Sequence, residues 1–146
     1  MEKLVIVSPD LYLRGAMVET EIYPSEKIFL ENKNRLTRKP MMKVNMLLDT
    51  GSNISGLDRS LIDLLQLPLY SEKACVDGAG GLISLNLYRC VLYLDIFNQK
   101  ALPLDIVEGS FDNCPYQGVI GRDVLQYCQM QYDGPSNSFR LSAPGF

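Results

Sequence analysis

The stretch Met41-Met42-Lys43-Val44-Asn45-Met46-Leu47-Leu48-Asp49-Thr50-Gly51-Ser52 decides how the rest of the chain is read. Met41–Leu48 runs apolar into an acid, and a glycine turn follows at once. An apolar strand thus delivers the Asp49 carboxylate to its own end. Glycine at position 51 lets backbone amides come close to that carboxylate. Thr50 and Ser52 add hydroxyl donors beside an ionised group that can only accept. An Asp-x-Gly turn also ends strands that carry no chemistry, so the segment has to be weighed with its surroundings.

Those surroundings are dominated by short strands. Leu4–Val7 is a brief apolar run stopped by Ser8-Pro9-Asp10. Met17–Tyr23 alternates, with Val18, Thr20 and Ile22 on one face and Glu19 and Glu21 on the other, and Pro24 ends it. Ile83, Leu85 and Leu87 alternate with Ser84 and Asn86; near Arg89-Cys90 the apolar phase passes to Leu92, Leu94 and Ile96, which predicts a bulge or bend. Leu102, Leu104 and Ile106 give a further strand. Two short helices are predicted. One is capped by Asp58 over Arg59–Gln66, with Leu61, Leu64 and Leu65 on one face; the other runs from Arg122 to Tyr127. The polar stretch 31–40, with basic Lys33, Arg35, Arg38 and Lys39, reads as a solvated hairpin loop rather than a patch for an acidic partner. No repeat interrupts the pattern, and the residues describe a single, mostly-β domain.

Composition narrows the chemistry. The chain has 146 residues, enough for one ordinary domain, and its apolar fraction of 47% is that of a globular protein. Fourteen basic against 17 acidic residues give a net charge of −3, a poor balance for gripping nucleic acid. There is no histidine, which excludes Ser-His-Asp and Cys-His catalysis and any histidine-built zinc site. Cys75, Cys90, Cys114 and Cys128 include no C-x-x-C pair, so no metal is expected, and they read as free thiols. The opening apolar run is too short for a secretory signal, and none reaches the ~18 residues of a membrane span, so a soluble cytoplasmic protein without membrane contact is expected.

Two further motifs join Asp49-Thr50-Gly51. Gly78-Ala79-Gly80-Gly81 sits between two strands, either as a mobile hairpin tip or as a plain glycine turn. Val119-Ile120-Gly121-Arg122-Asp123 is an apolar pair, a glycine and a helix start. In this order and spacing the three resemble the retroviral-type aspartic proteases, the retropepsins, and their bacterial and cellular single-lobe relatives. Gly121-Arg122-Asp123-Val124-Leu125 resembles the family's Gly-Arg-Asp/Asn before a C-terminal helix, and Tyr132-Asp133-Gly134 resembles a turn of its bacterial members. The resemblance covers residues 41–142 and leaves 1–40 as an N-terminal extension of the one domain.

The resemblance implies an all-β, closed acid-protease-like barrel with one or two short helices, a single lobe. It implies that Asp49 is catalytic in a loop with Thr50, Gly51 and Ser52, that Gly78, Ala79, Gly80 and Gly81 form a flap, and that Val119, Ile120, Gly121 and Arg122 pack beside the loop. Two carboxylates are needed and the chain has one Asp-Thr-Gly, so the implied enzyme is a homodimer that cleaves a polypeptide without a cofactor, Thr50 bonding to its copy across the axis. An inactive dimerisation or peptide-binding module is the alternative. Three positions depart from the retroviral pattern: Ser52 replaces Ala, Asn53 replaces an Asp that would pair with Arg122, and Ala79 replaces a larger apolar residue. Ser52 is expected to donate to Asp49.

Overall fold

Period-two alternation places one face of each strand inward, and closing such strands on one another buries that face without leaving an edge. A computed structural model describes residues 3–33, 41–78 and 81–146 of the chain. Its strands are β1 (Lys3–Val7), β2 (Met17–Tyr23), β3 (Met42–Leu48), β4 (Gly56–Asp58), β5 (Leu69–Gly78), β6 (Gly81–Tyr93), β7 (Leu102–Gly109), β8 (Gly118–Ile120), β9 (Gln129–Asp133) and β10 (Ser138–Ser142). The helices are α1 (Leu11–Arg14), α2 (Glu26–Lys33), α3 (Arg59–Leu65) and α4 (Arg122–Leu125).

The order β2-β3-β8-β4-β7-β6 closes through a β2–β6 pairing into a six-stranded mixed barrel. Val18, Thr20 and Ile22 of β2 point into it as the alternation predicts, beside Val44, Met46 and Leu48 of β3. The segment before residue 41 therefore supplies a stave of the barrel as well as β1. β1 pairs antiparallel with β10, which pairs with β9, forming a second sheet that covers one side of the core with Phe139 and Leu141.

Several neighbours in this order are not neighbours in sequence. β8 inserts between β3 and β4, parallel to the first and antiparallel to the second, with Leu47 opposite Val119 and Leu48 opposite Ile120. The connection 49–55 must then pass over the end of β8, and that crossing positions the site. At the other end, β5 and β6 form a long hairpin whose last pair is Gly78 with Gly81. β7 reaches β6 only from Leu87 onward, so among the described residues the hairpin's tip half pairs with itself alone.

Several local expectations are corrected. α3 buries Ile62 and Leu65, with Leu61 half-buried, while Leu64 is 70% exposed: the helix lies rotated away from the stripe read for it. Asp58 precedes α3 but makes no side-chain cap; its carboxylate accepts the Ser60 hydroxyl at 3.3 Å. The phase change on β6 comes earlier than Arg89, because Tyr88, Cys90 and Leu92 already face the core, and β5 carries its register shifts opposite Leu85–Tyr88. Ile96 lies in a 3-10 turn over Asp95–Phe97 rather than in the strand.

α1 and α2 are helices beyond the two expected. The stretch 31–40 begins inside α2; positions 34–40, with Arg35, Arg38 and Lys39, lie outside the described residues. α2 starts at Ser25, whose Oγ accepts the Ile28 N–H at 3.2 Å, and it is pinned by buried Phe29 meeting Tyr23 edge-on at 5.1 Å. Cys90 is buried, and Cys114 and Cys128 are half-buried; all three are free thiols. Burial pushes the Cys128 thiol up to about 11 and drives that of Cys90 up as well, Asp123 and Asp105 adding to it.

Candidate active site

Asp49 is the first residue after β3, and its backbone N–H donates to the Ile120 carbonyl at 2.8 Å. That bond continues the β3–β8 ladder by one step and sets the carboxylate at the end of β8. The chain then turns back, with Ser52 N–H donating to the Asp49 carbonyl at 3.3 Å. Inside this turn Asp49 Oδ1 accepts the Gly51 N–H at 2.9 Å. A Cβ at residue 51 would stand 3.1 Å from the same oxygen, so glycine is what leaves the amide open to the carboxylate. Asp49 is half-buried, whereas Thr50 and Gly51 at the tip of the turn are exposed.

Ser52 corrects its expected role. Its hydroxyl donates to the Ile54 carbonyl at 2.6 Å, and a hydroxyl has only one proton to give. The serine braces the loop backbone and leaves Asp49 to the Gly51 amide.

The far side of the loop rests on the second motif. Arg122 N–H donates to the Ser52 carbonyl at 2.8 Å, and the Arg122 guanidinium Nη1 donates to the Thr50 carbonyl at 2.8 Å. Asn53 offers no carboxylate, so the arginine holds the loop through a backbone acceptor instead. Next to Arg122, under the same loop, lies Gly121. A Cβ there would stand 2.7 Å from the carbonyl carbon and oxygen of Ile54 and 2.9 Å from the Ser52 carbonyl oxygen. Glycine is required because the crossing loop passes directly over the backbone.

Two residues that sequence reasoning gave no role complete the frame. Ser55, fully buried, accepts the Gly121 N–H at 3.0 Å and donates its own proton to Asp123 Oδ1 at 2.7 Å. Asp123 Oδ2 accepts the Ser55 N–H at 2.9 Å, and Oδ1 also accepts the Val124 N–H at 2.9 Å. One carboxylate thereby ties the end of the loop to the start of α4. Asp123 stood in the Gly-Arg-Asp signal; Ser55 gave none, since serine is ordinarily a surface residue.

The structure thus unites Asp49, Thr50, Gly51 and Ser52 with Val119, Ile120, Gly121 and Arg122. Gly78 and Gly81 sit at the hairpin tip, and Ala79 and Gly80 lie outside the described residues. Tyr116, in the segment before β8, also belongs to the neighbourhood of Asp49: burial, the Cys114 thiol and then the Asp49 charge all push its phenol up, so it stays a donor. Among the described residues no group of three or more Cys, Asp or Glu side chains stands ready to hold a metal ion. Nor is any helix long and apolar enough to cross a membrane.

Comparison with known families gives a match. The family model for retroviral aspartyl proteases matches residues 21–132, more than half of the chain, from within β2 to within β9. No curated protein shows a significant match.

Proposed function

The chain belongs to the retroviral aspartyl protease family, and from that premise we propose that it is a homodimeric aspartic endopeptidase in which each of two copies contributes one Asp49. The observation that carries this reading is the Asp49 turn. A single carboxylate is held at the end of β8 by backbone bonds, and the exposed tip at Thr50 and Gly51 is open to a second copy.

Two such carboxylates about 3 Å apart cannot both ionise, so they share one proton. The charged member draws a proton from a bound water, which attacks the scissile carbonyl. The protonated member donates to the carbonyl oxygen, and the proton later passes to the leaving amine. The Gly51 amide orients one oxygen of each Asp49 during this exchange. Thr50, bonding to its copy across the axis, would hold the two carboxylates nearly coplanar. The β5–β6 hairpin would cover an extended peptide as a flap, pairing with it as a strand does. The free thiols Cys90, Cys114 and Cys128 accord with a cytoplasmic setting.

Replacing Asp49 by Asn tests the reading. Asp49→Asn removes the shared proton and should lower peptide cleavage by at least about a thousandfold, each 1.36 kcal/mol of barrier being tenfold in rate. The fold and the dimer should persist, because the amide keeps an oxygen for the Gly51 N–H. Cleavage of a peptide library by the purified variant at the wild-type rate would refute the proposal.

A further inference from the structure

α1 ends at Arg14, and the next residues bind it to the strand that carries Asp49. Ala16 accepts the Leu48 N–H at 2.8 Å, and a Cβ on Gly15 would stand 2.6 Å from Leu47 Cδ1. Across from α1 runs the segment Asn113–Tyr116, whose last residue feels the Asp49 charge. Between them is an open cavity of about 480 Å³ lined by Leu13, Arg14, Asn113, Cys114, Pro115 and Tyr116.

Both walls are built rather than loose. Gly15 N–H donates to the Leu11 carbonyl at 2.9 Å and closes α1. On the other wall Cys114 N–H donates to the Phe111 carbonyl at 3.1 Å, Asn113 takes the left-handed conformation at φ 63°, and Phe111 meets Tyr116 edge-on at 6.0 Å. Among the described residues the polar lining consists of a guanidinium, an amide, a phenol and a thiol, with no carboxylate. Arg14 is the one charged side chain among the described lining residues. Asp10 Oδ2 stands 3.9 Å from the guanidinium, with both side chains more than half exposed. Such a pair is weak and leaves the planar fork able to take a second carboxylate.

We propose that this cavity is a substrate subsite for an acidic side chain, a Glu or Asp of the cleaved polypeptide, and that Arg14 is its specificity determinant; the proposal rests on the endopeptidase reading above. A carboxylate entering between α1 and the 113–116 segment meets the Arg14 fork on one side and the Asn113 amide on the other, the Tyr116 phenol being hydrogen-bonded to Cys114. An amide of the same shape keeps only neutral hydrogen bonds, which are weaker.

The test uses peptides identical except for Glu, Gln or Lys at one position, scanned along each side of the scissile bond. Cleavage is measured with wild type and Arg14→Glu. Binding is measured by fluorescence anisotropy with Asp49→Asn and with the Asp49→Asn, Arg14→Glu double variant. Ratios are taken within one protein, so the folded fraction cancels. At one position wild type should favour Glu over Gln by roughly three- to tenfold at low salt, falling toward unity near ~0.5 M salt. Arg14→Glu should invert the choice to Lys over Glu. Equal Glu-to-Gln ratios in wild type and Arg14→Glu at every position would overturn the subsite. If wild type cleaves without any Arg14-dependent preference, the subsite fails and the endopeptidase stands. If wild type cleaves nothing but Asp49→Asn binds Glu peptides in an Arg14-dependent way, the endopeptidase fails and the anion site stands. A protein that neither cleaves nor binds overturns both.

Discussion

Ser52 shows how one proton decides a role. Its hydroxyl is committed to the Ile54 carbonyl, so Ser52→Ala should cost about 0.5–1.5 kcal/mol of stability, the worth of an ordinary hydrogen bond. The acidic limb of the pH–rate profile should stay where it is. Had the hydroxyl faced Asp49, losing it would have moved that limb to higher pH, because a carboxylate without its donor protonates more readily. Denaturant titration and the pH dependence of kcat/KM for the two proteins check both halves. Thr20 gives the opposite sign. Its hydroxyl is fully buried inside the barrel and finds no partner among the described residues. Thr20→Val removes that cost and keeps the shape, so it should stabilise the protein by about 1 kcal/mol, seen as a higher denaturation midpoint with an unchanged slope. Neither outcome was legible from the sequence. The alternation put Thr20 inward correctly, but only three-dimensional neighbours tell where a hydroxyl's proton goes.

At the scale of elements, the Asp49 loop is a crossing held by what passes beneath it. Ser55 bridges Gly121 and Asp123 inside the protein, so Ser55→Ala strands the Gly121 N–H without a partner and takes one of Asp123's. Unmaking buried bonds of this kind costs about 1–3 kcal/mol. Calorimetry should show that loss, and kcat should fall with it while KM changes little, because Ser55 acts on the loop and not on the peptide. Gly121→Ala should be worse, since the new methyl meets backbone on two sides. The motifs on either side of this crossing were legible because each has a fixed local grammar: apolar strand, acid, glycine; apolar pair, glycine, helix. α2 was less so, although Ser25 ahead of Glu26 was a readable start signal. Its apolar face amounts to little more than Phe29, too thin a stripe for periodicity to find. The rotation of α3 away from Leu64 is likewise set by what it packs on, not by its own spacing.

For the whole molecule, the proposed dimer, with half a site per chain, would make activity a property of the assembled pair. Specific activity per chain should fall on dilution, in step with the dimer fraction measured by analytical ultracentrifugation. A specific activity that holds steady through the concentration range where the protein becomes monomeric would contradict the shared dyad. That the chain is one mostly-β unit could be read from its alternating strands, and closure into a barrel came only with the family resemblance. The β2–β6 pairing that closes it joins residues some seventy positions apart, and no local pattern announces a partner at that range. The insertion of β8 between β3 and β4 has a consequence in time as well as in space. A chain leaving the ribosome exposes Asp49-Thr50-Gly51 early, but the floor of that turn is Ile120, Gly121 and Arg122. Until those residues have emerged, the acid has no strand to sit on and no arginine to hold its loop. Through that stretch of translation Asp49-Thr50-Gly51 is an unframed loop, and the turn takes its shape only when the later strand arrives beneath it.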